Sequence, residues 1–166
     1  MKKLTTSMLV KQALIAAIYF VLTIVLGQFG YGPIQFRYTE VLNLLAFFNP
    51  LHSIGVSVGV FLANTMSPLG IYDMIFGTLH TIIALFFISR SKNMIVASLW
   101  PTIFAFIIGF ELSALAGIGT FIEMTASVML SEFLIMTLIA VALFKILERN
   151  RTFLELIEAN QNIEHI

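Results

Sequence analysis

The chain has 166 residues, 59% of them apolar and 11% charged, with nine basic residues, nine acidic residues and no cysteine. A soluble domain has about a quarter of its residues charged, so there is too little polar surface here to coat a water-soluble globule; the mean hydropathy of +0.99 agrees. The lack of cysteine excludes disulfides, thiolate zinc sites and a cysteine nucleophile.

A helix needs about 20 apolar residues to cross the hydrocarbon core. The chain divides into six candidate spans: Met8–Phe29, Tyr38–Asn49, Leu51–Met66, Tyr72–Ser89, Met94–Ala116 and Phe121–Leu147. The expected fold is all-α, an integral membrane bundle of six transmembrane helices over 1–147 with a short cytosolic tail over 148–166. The first run follows Lys2 and Lys3 but is longer than a signal-peptide core and has no small-x-small closing site, so it reads as a retained membrane helix. The second and third spans are short. The breaks are Gly30-Tyr31-Gly32-Pro33, Asn49-Pro50, Ser67-Pro68-Leu69-Gly70, Arg90-Ser91-Lys92-Asn93 and Gly117-Ile118-Gly119. Pro and Gly hold a helix poorly, and a charged cluster does not stay in lipid. Pro101 falls inside the fifth span, where a kink is tolerated.

Six spans put both termini on one side, with the loops after spans two and four. That side holds Lys2, Lys3, Lys11, Arg90, Lys92, Lys145, Arg149 and Arg151, eight of the nine basic residues. By the positive-inside rule it is the cytoplasm, and Arg37 is the one basic residue outside.

A charge at membrane depth is costly and marks a functional candidate. Five acids lie between the terminal charge clusters: Glu40, Asp73, Glu111, Glu123 and Glu132. In this topology they fall in the outer half, with Glu132 deepest, and Asn64, Gln35 and Arg37 lie on the same side. Glu40 and Asn43 share a helix face, as do Asp73, Gly77 and His80. His80 fits a deeper ligand contact, or more simply an interhelical hydrogen bond. One Arg cannot neutralise so many acids, so mutual satisfaction alone accounts poorly for the set.

Other signals carry less. Gly55-Val-Ser-Val-Gly59 matches a nucleophile elbow in letters, but it lies in an apolar helical run rather than a strand-to-helix turn; Gly55 and Gly59 read as a small-residue packing face. Neither a zinc-protease motif nor a Walker A sequence is present, so any ATP use belongs to another subunit. No basic patch with interleaved aromatics suggests nucleic acid, and no cofactor or metal is expected. Ala13, Ala16 and Ala17 form a small-residue patch on span one, suited to a helix of this bundle or of a partner.

Four stretches together carry a resemblance: Ile34–Phe48 (IQFRYTEVLNLLAFF), Ala63–Gly77 (ANTMSPLGIYDMIFG), Ala97–Pro101 (ASLWP), and Gly109–Leu112 (GFEL) followed by Glu132. Together they resemble the queuosine-precursor transporter family, substrate-binding S components of energy-coupling factor (ECF) transporters, from about Val10 to Lys145. The resemblance implies a non-enzymatic six-helix subunit of the cell membrane that captures a 7-deazaguanine from outside, preQ1 first, with preQ0 and queuine as alternatives. It also implies docking on a transmembrane scaffold subunit with two ATPase subunits. In S components an A-x-x-x-A patch on helix one faces the scaffold, and Ala13 and Ala17 match it, with Ala16 beside them. His52 and His80 match no part of the family pattern.

A 7-deazaguanine presents adjacent N–H donors, which one carboxylate can accept side by side. The substrate-binding set expected is therefore Glu40, Asp73, Glu111 and Glu132 as carboxylates with Asn43 and Asn64 beside them. Arg37 would order the first loop. Gln35, Asn43 or Asn64 would read the carbonyl, and Phe36, Tyr38, Tyr72 or Phe76 would supply an aromatic face. An S component for another vitamin-like solute and a stand-alone secondary transporter are the competing readings. A membrane-embedded enzyme is disfavoured by the missing nucleophile and metal motifs.

Overall fold

The computed structural model describes residues 5–25 and 37–162. The Gly30–Pro33 break, Gln35, Phe36 and the end of the first expected span lie outside the described residues. Within them the chain forms six apolar helices and a short tail helix. These are α1 (Thr6–Val25), α2 (Tyr38–Phe48), α3 (His52–Asn64), α4 (Asp73–Ile88), α5 (Met94–Leu115), α6 (Phe121–Leu147) and α7 (Arg151–Leu156). Three of them, α1, α5 and α6, are long and apolar enough to cross a membrane. The other four expected breaks therefore fall within a residue or two of the observed ones, and α2 and α3 are indeed short.

Local chemistry explains the boundaries. α2 ends at Asn49-Pro50, where Asn49 Oδ1 accepts from Leu51 N at 3.1 Å and opens the turn into α3. Asn93 caps α5 by accepting from the Ile95 and Val96 amides. Thr120 and Glu123 form a reciprocal capping box at the start of α6, which satisfies two otherwise orphaned donors. Gly117 and Gly119 between α5 and α6 have φ of +70° and +62°, a region where a β-carbon is unfavourable.

Helix α1 lies along α3, and the contact is nearly backbone to backbone. A β-carbon on Gly55 would sit 2.7 Å from Gln12 O, and one on Gly59 would sit 2.7 Å from Tyr19 Cβ. The Gly55–Gly59 pair is thus a packing face. Gln12 crosses this seam: its Oε1 accepts from Gly55 N, while its Nε2 approaches His52 Nδ1 at 3.1 Å. The core gathers around α2, whose residues Leu44, Leu45, Ala46, Phe47 and Phe48 are all buried, with Val56, Val60, Leu85, Met136 and Phe144 packed about them. Outward, α1, α5 and α6 present large exposed side chains such as Val10, Leu14, Ile103, Ile122 and Ile146. Apolar side chains of this size spread over the whole length of a helix belong in lipid rather than water.

The tail after α7 is tied down. Gln161 Nε2 donates to Phe47 O and Ser89 O, Asn162 Nδ2 donates to Phe47 O and Ser91 O, and the Asn160 and Gln161 amides donate to Phe48 O. These donors meet carbonyls that a helix terminus leaves without partners. His52 Nε2 donates to Ile157 O at 2.6 Å, so its Nδ1 is the acceptor for Gln12. His52 is therefore a structural link between α1, α3 and the tail.

Candidate functional site

Each of the four expected carboxylates sits where a helix departs from α geometry. Glu40 and Asn43 lie in the 3₁₀ stretch Tyr38–Leu44 that opens α2. Asp73 begins a π-helical turn, Asp73–Gly77, and Glu111 begins another, Glu111–Leu115. Glu132 immediately precedes a third, Phe133–Ala140. In the second of these the Ala116 amide reaches back five residues to Glu111 O at 3.0 Å. Such wide turns add a residue to a helical turn and re-aim the side chains on it, and they are frequent at functional sites.

The four carboxylates are buried together. Glu40, Asp73, Glu111 and Glu132 are between 0% and 8% exposed. Arg37 is buried among them and pairs with Asp73, Nη2 to Oδ1 at 3.4 Å. Its charge also acts on Glu111, which Asp73 faces as well, and on Glu132, which Glu40 faces. The site thus gathers four acids within the field of one guanidinium among the described residues. Isolated buried charge is expensive, so such an arrangement calls for N–H donors or positive charge from elsewhere.

The hydrogen bonds separate the four. Tyr19 Oη donates to Glu40 Oε1 at 2.7 Å, and Asn43 Nδ2 donates to Glu40 Oε2. Ser67 Oγ donates to the Asp73 oxygen turned away from Arg37. Among the described residues no N–H or hydroxyl reaches either Glu111 oxygen, which face the Asp73 carboxyl instead, and none reaches Glu132 Oε2. Asn64 Nδ2 donates to Thr78 Oγ1 at 3.2 Å. The amide nitrogens of Asn43 and Asn64 are thus engaged within the protein, and their Oδ1 atoms are buried with no partner among the described residues. The sequence reading gave these amides to a ligand carbonyl; what they present is acceptor oxygen. Gly77 brings α4 close to this group, since a β-carbon there would sit 2.8 Å from Asn64 Nδ2 and 3.3 Å from Asp73 Oδ1.

The remaining expected residues divide. Tyr38 and Tyr72 are exposed. Phe76 stands 5.9 Å from Phe110, ring to ring, and lines an apolar crease of about 350 Å³ with Leu79, Phe106, Ile107 and Phe121. Gln35 lies outside the described residues. Glu123 is exposed in its capping box and takes no part in the cluster. His80 Nε2 donates to Pro101 O at 3.0 Å. That carbonyl is free because the Ala105 amide turns to Thr102 O instead, so His80 makes the interhelical bond that its position suggested. Ala16 is buried against Gly59, inside the bundle, whereas Ala13 and Ala17 face outward. The small-residue surface open to a partner is thus reduced to Ala13 and Ala17.

Sequence reading missed Tyr19, Ser67 and Thr78. A signal for the first existed: Gln12, Ala16, Tyr19 and Thr23 recur at helical spacing as the buried stripe of α1, and three of these four are polar. Ser67 and Thr78 flank Asp73 in sequence, in the turn before it and the helix after it.

Lys11, Lys92 and Lys145 lie away from this cluster. Lys11 pairs with Glu158 of the tail at 2.7 Å, and Lys92 and Lys145 line one cleft with Asn162. Trp100, hydrogen-bonded to Ser91 Oγ at 3.0 Å, belongs to that end too.

No solved structure matches the chain. Over 87 residues it is 42% identical to the queuosine precursor transporter QueT of Lactococcus lactis subsp. cremoris (strain MG1363), a match covering 51% of each protein, so the chain spans about half the length of that curated relative. The sequence profile described as QueT transporter matches residues 9–149, which is most of the chain. With that match and its apolar helices, the chain is a multi-pass membrane protein that belongs to the QueT transporter family.

Proposed function

We propose that this chain is the solute-capturing S component of an ATP-driven ECF importer and that its solute is a 7-deazaguanine queuosine precursor, preQ1 in the first place. One observation carries the reading: among the described residues, the carboxylate and amide atoms of the cluster that are buried without an N–H or hydroxyl partner are all acceptor oxygens. They are both Glu111 oxygens, Glu132 Oε2, Asn43 Oδ1 and Asn64 Oδ1. A complementary ligand is rich in N–H donors and preferably cationic. PreQ1 has a ring N–H beside an exocyclic amine, a pyrrole N–H and an aminomethyl cation. Its 7-deaza carbon removes an acceptor that guanine would carry. The name of the relative from L. lactis supports the same class of solute.

The binding residues are Glu40, Asn43, Asn64, Asp73, Glu111 and Glu132, with Arg37 ordering the acids. α1 to α6 are six crossings with both termini in the cytoplasm. The separation of Arg37 from the basic end supports that orientation. ATP is hydrolysed by two partner subunits, in keeping with the absence of a Walker A sequence. The outward Ala13–Ala17 face is where a transmembrane scaffold docks.

A calorimetric titration of the purified chain tests the solute. PreQ1 is expected to bind and adenine to bind weakly or not at all, because a site built to hydrogen-bond a polar edge strongly rejects analogues lacking it. Equal affinity for the two would refute the assignment. Docking is tested separately: Ala13→Trp or Ala17→Trp should abolish co-purification with the scaffold and leave preQ1 affinity as it was. Solute uptake by the chain alone in vesicles would show a stand-alone transporter instead.

A further inference from the structure

The four carboxylates of the cluster do not have equal parts to play, and their hydrogen bonds separate them. We infer that Glu111 is the carboxylate that accepts the paired N–H donors of a guanine-type edge, while Glu40, held by Tyr19 and Asn43, is a positioned wall of the site. This rests on the reading of the cluster as a solute site and assigns the edge within it.

Glu40 is fixed from inside the protein. Tyr19, fully buried, donates to one oxygen at 2.7 Å, and Asn43 donates to the other. Both donors are charge-assisted and set the plane of the carboxylate. Asp73 is held in the same way, by Arg37 on Oδ1 and Ser67 on Oδ2. Glu132 Oε2 and both Glu111 oxygens meet no N–H or hydroxyl donor of the described residues; Glu132 is 8% exposed, whereas Glu111 is 0% exposed and faces the Asp73 carboxyl. A buried carboxylate left without donors on both oxygens is among the costliest arrangements a protein can keep. Packing does not demand it, because Gln or Met of similar volume would fill the same space. The π-helical turn that starts at Glu111 aims it toward Asp73 and Arg37 rather than along a regular helical face.

The chemistry that satisfies two oxygens of one carboxylate at once is a planar edge with two parallel N–H groups. A ring N–H next to an exocyclic amine is such an edge, and an adenine edge is not. Asn43 and Asn64 add single acceptors beside it. Tyr19 is then a positioning residue: it acts on the ligand through Glu40.

The experiment compares preQ1 with its analogue lacking only the exocyclic amine, by titration of the full-length chain in detergent. The unmodified protein should prefer preQ1 by about 10- to 100-fold, the usual worth of a hydrogen bond to a charged group. In Glu111→Gln, preQ1 affinity should fall to that of the analogue, so that the preference disappears. Glu111→Asp, which keeps the charge but withdraws it by one methylene, should behave alike and replaces the Gln variant if that fails to fold. In Tyr19→Phe and Glu40→Gln both affinities should fall while the preference remains. A preference retained in the Glu111 variants overturns the inference. A preference lost in Glu40→Gln but retained in Glu111→Gln transfers the edge to Glu40. If the unmodified protein binds both compounds equally, no carboxylate reads this edge and the inference falls while the solute reading stands. If it binds neither, the solute reading fails and takes the inference with it.

Discussion

Arg37→Met is expected to lower the stability of the purified protein by about 3–5 kcal/mol, the usual loss when one partner of a buried ion pair is removed. The reason is the ratio of charges at the cluster. Arg37 is the guanidinium that pairs with Asp73 and acts on Glu111 and Glu132. Lys11, Lys92 and Lys145 are committed to the tail end. Without Arg37 the buried acids face one another with no cation of the described residues between them. A fall in the thermal midpoint in detergent is the measurement. Asp73→Asn in the same chain should recover part of the loss, since it removes one of the repelling charges. A midpoint unchanged in Arg37→Met would mean that the acids are neutralised in another way. Because preQ1 carries a cation, adding it should raise the midpoint of the unmodified protein.

Gly59→Leu is expected to prevent recovery of folded protein. The β-carbon would lie 2.7 Å from Tyr19 Cβ and 2.9 Å from Ala16 O. The second of these is backbone and cannot rotate away, so α1 as a whole must move off α3. Overpacking a well-packed interior costs about 1–3 kcal/mol, and here the displaced helix also carries Tyr19 away from Glu40. Loss of the monodisperse peak in size-exclusion chromatography is the expected result. Val58→Leu, at an exposed position on the same helix, is the control and should purify normally. If Gly59→Leu purified with an unchanged melting point, the α1–α3 contact would be looser than its geometry indicates.

Much of the fold could be read from the residues because lipid imposes simple rules. Apolar runs of helical length, with Pro, Gly and a charged cluster at the breaks, place the elements, and α2 to α6 begin and end within a residue or two of those positions. The same rules single out Glu40, Asp73, Glu111 and Glu132, since a carboxylate within an apolar run has to be explained. The Gly55–Gly59 face was legible from spacing alone, and His80 found the interhelical bond expected of a lone buried histidine.

Facing direction was not legible. Whether a side chain points into the cluster depends on helix rotation, and here each acid sits at a 3₁₀ or π-helical departure that shifts it away from the 3.6-residue period. That is why the aromatic residues expected around the solute, Tyr38, Tyr72 and Phe76, stand exposed or in an apolar crease, while Tyr19 does the hydrogen bonding. Ala16 was grouped with Ala13 and Ala17 by type, but only the approach of α3 decides which of the three is covered. Composition and order thus determined that this is a membrane protein with four acids set in apolar runs and a single arginine apart from the other basic residues. The tertiary structure decided which acid oxygens are already satisfied and which remain open, because hydrogen bonds between residues 21 or 36 positions apart depend on how the helices pack and on nothing local to either residue.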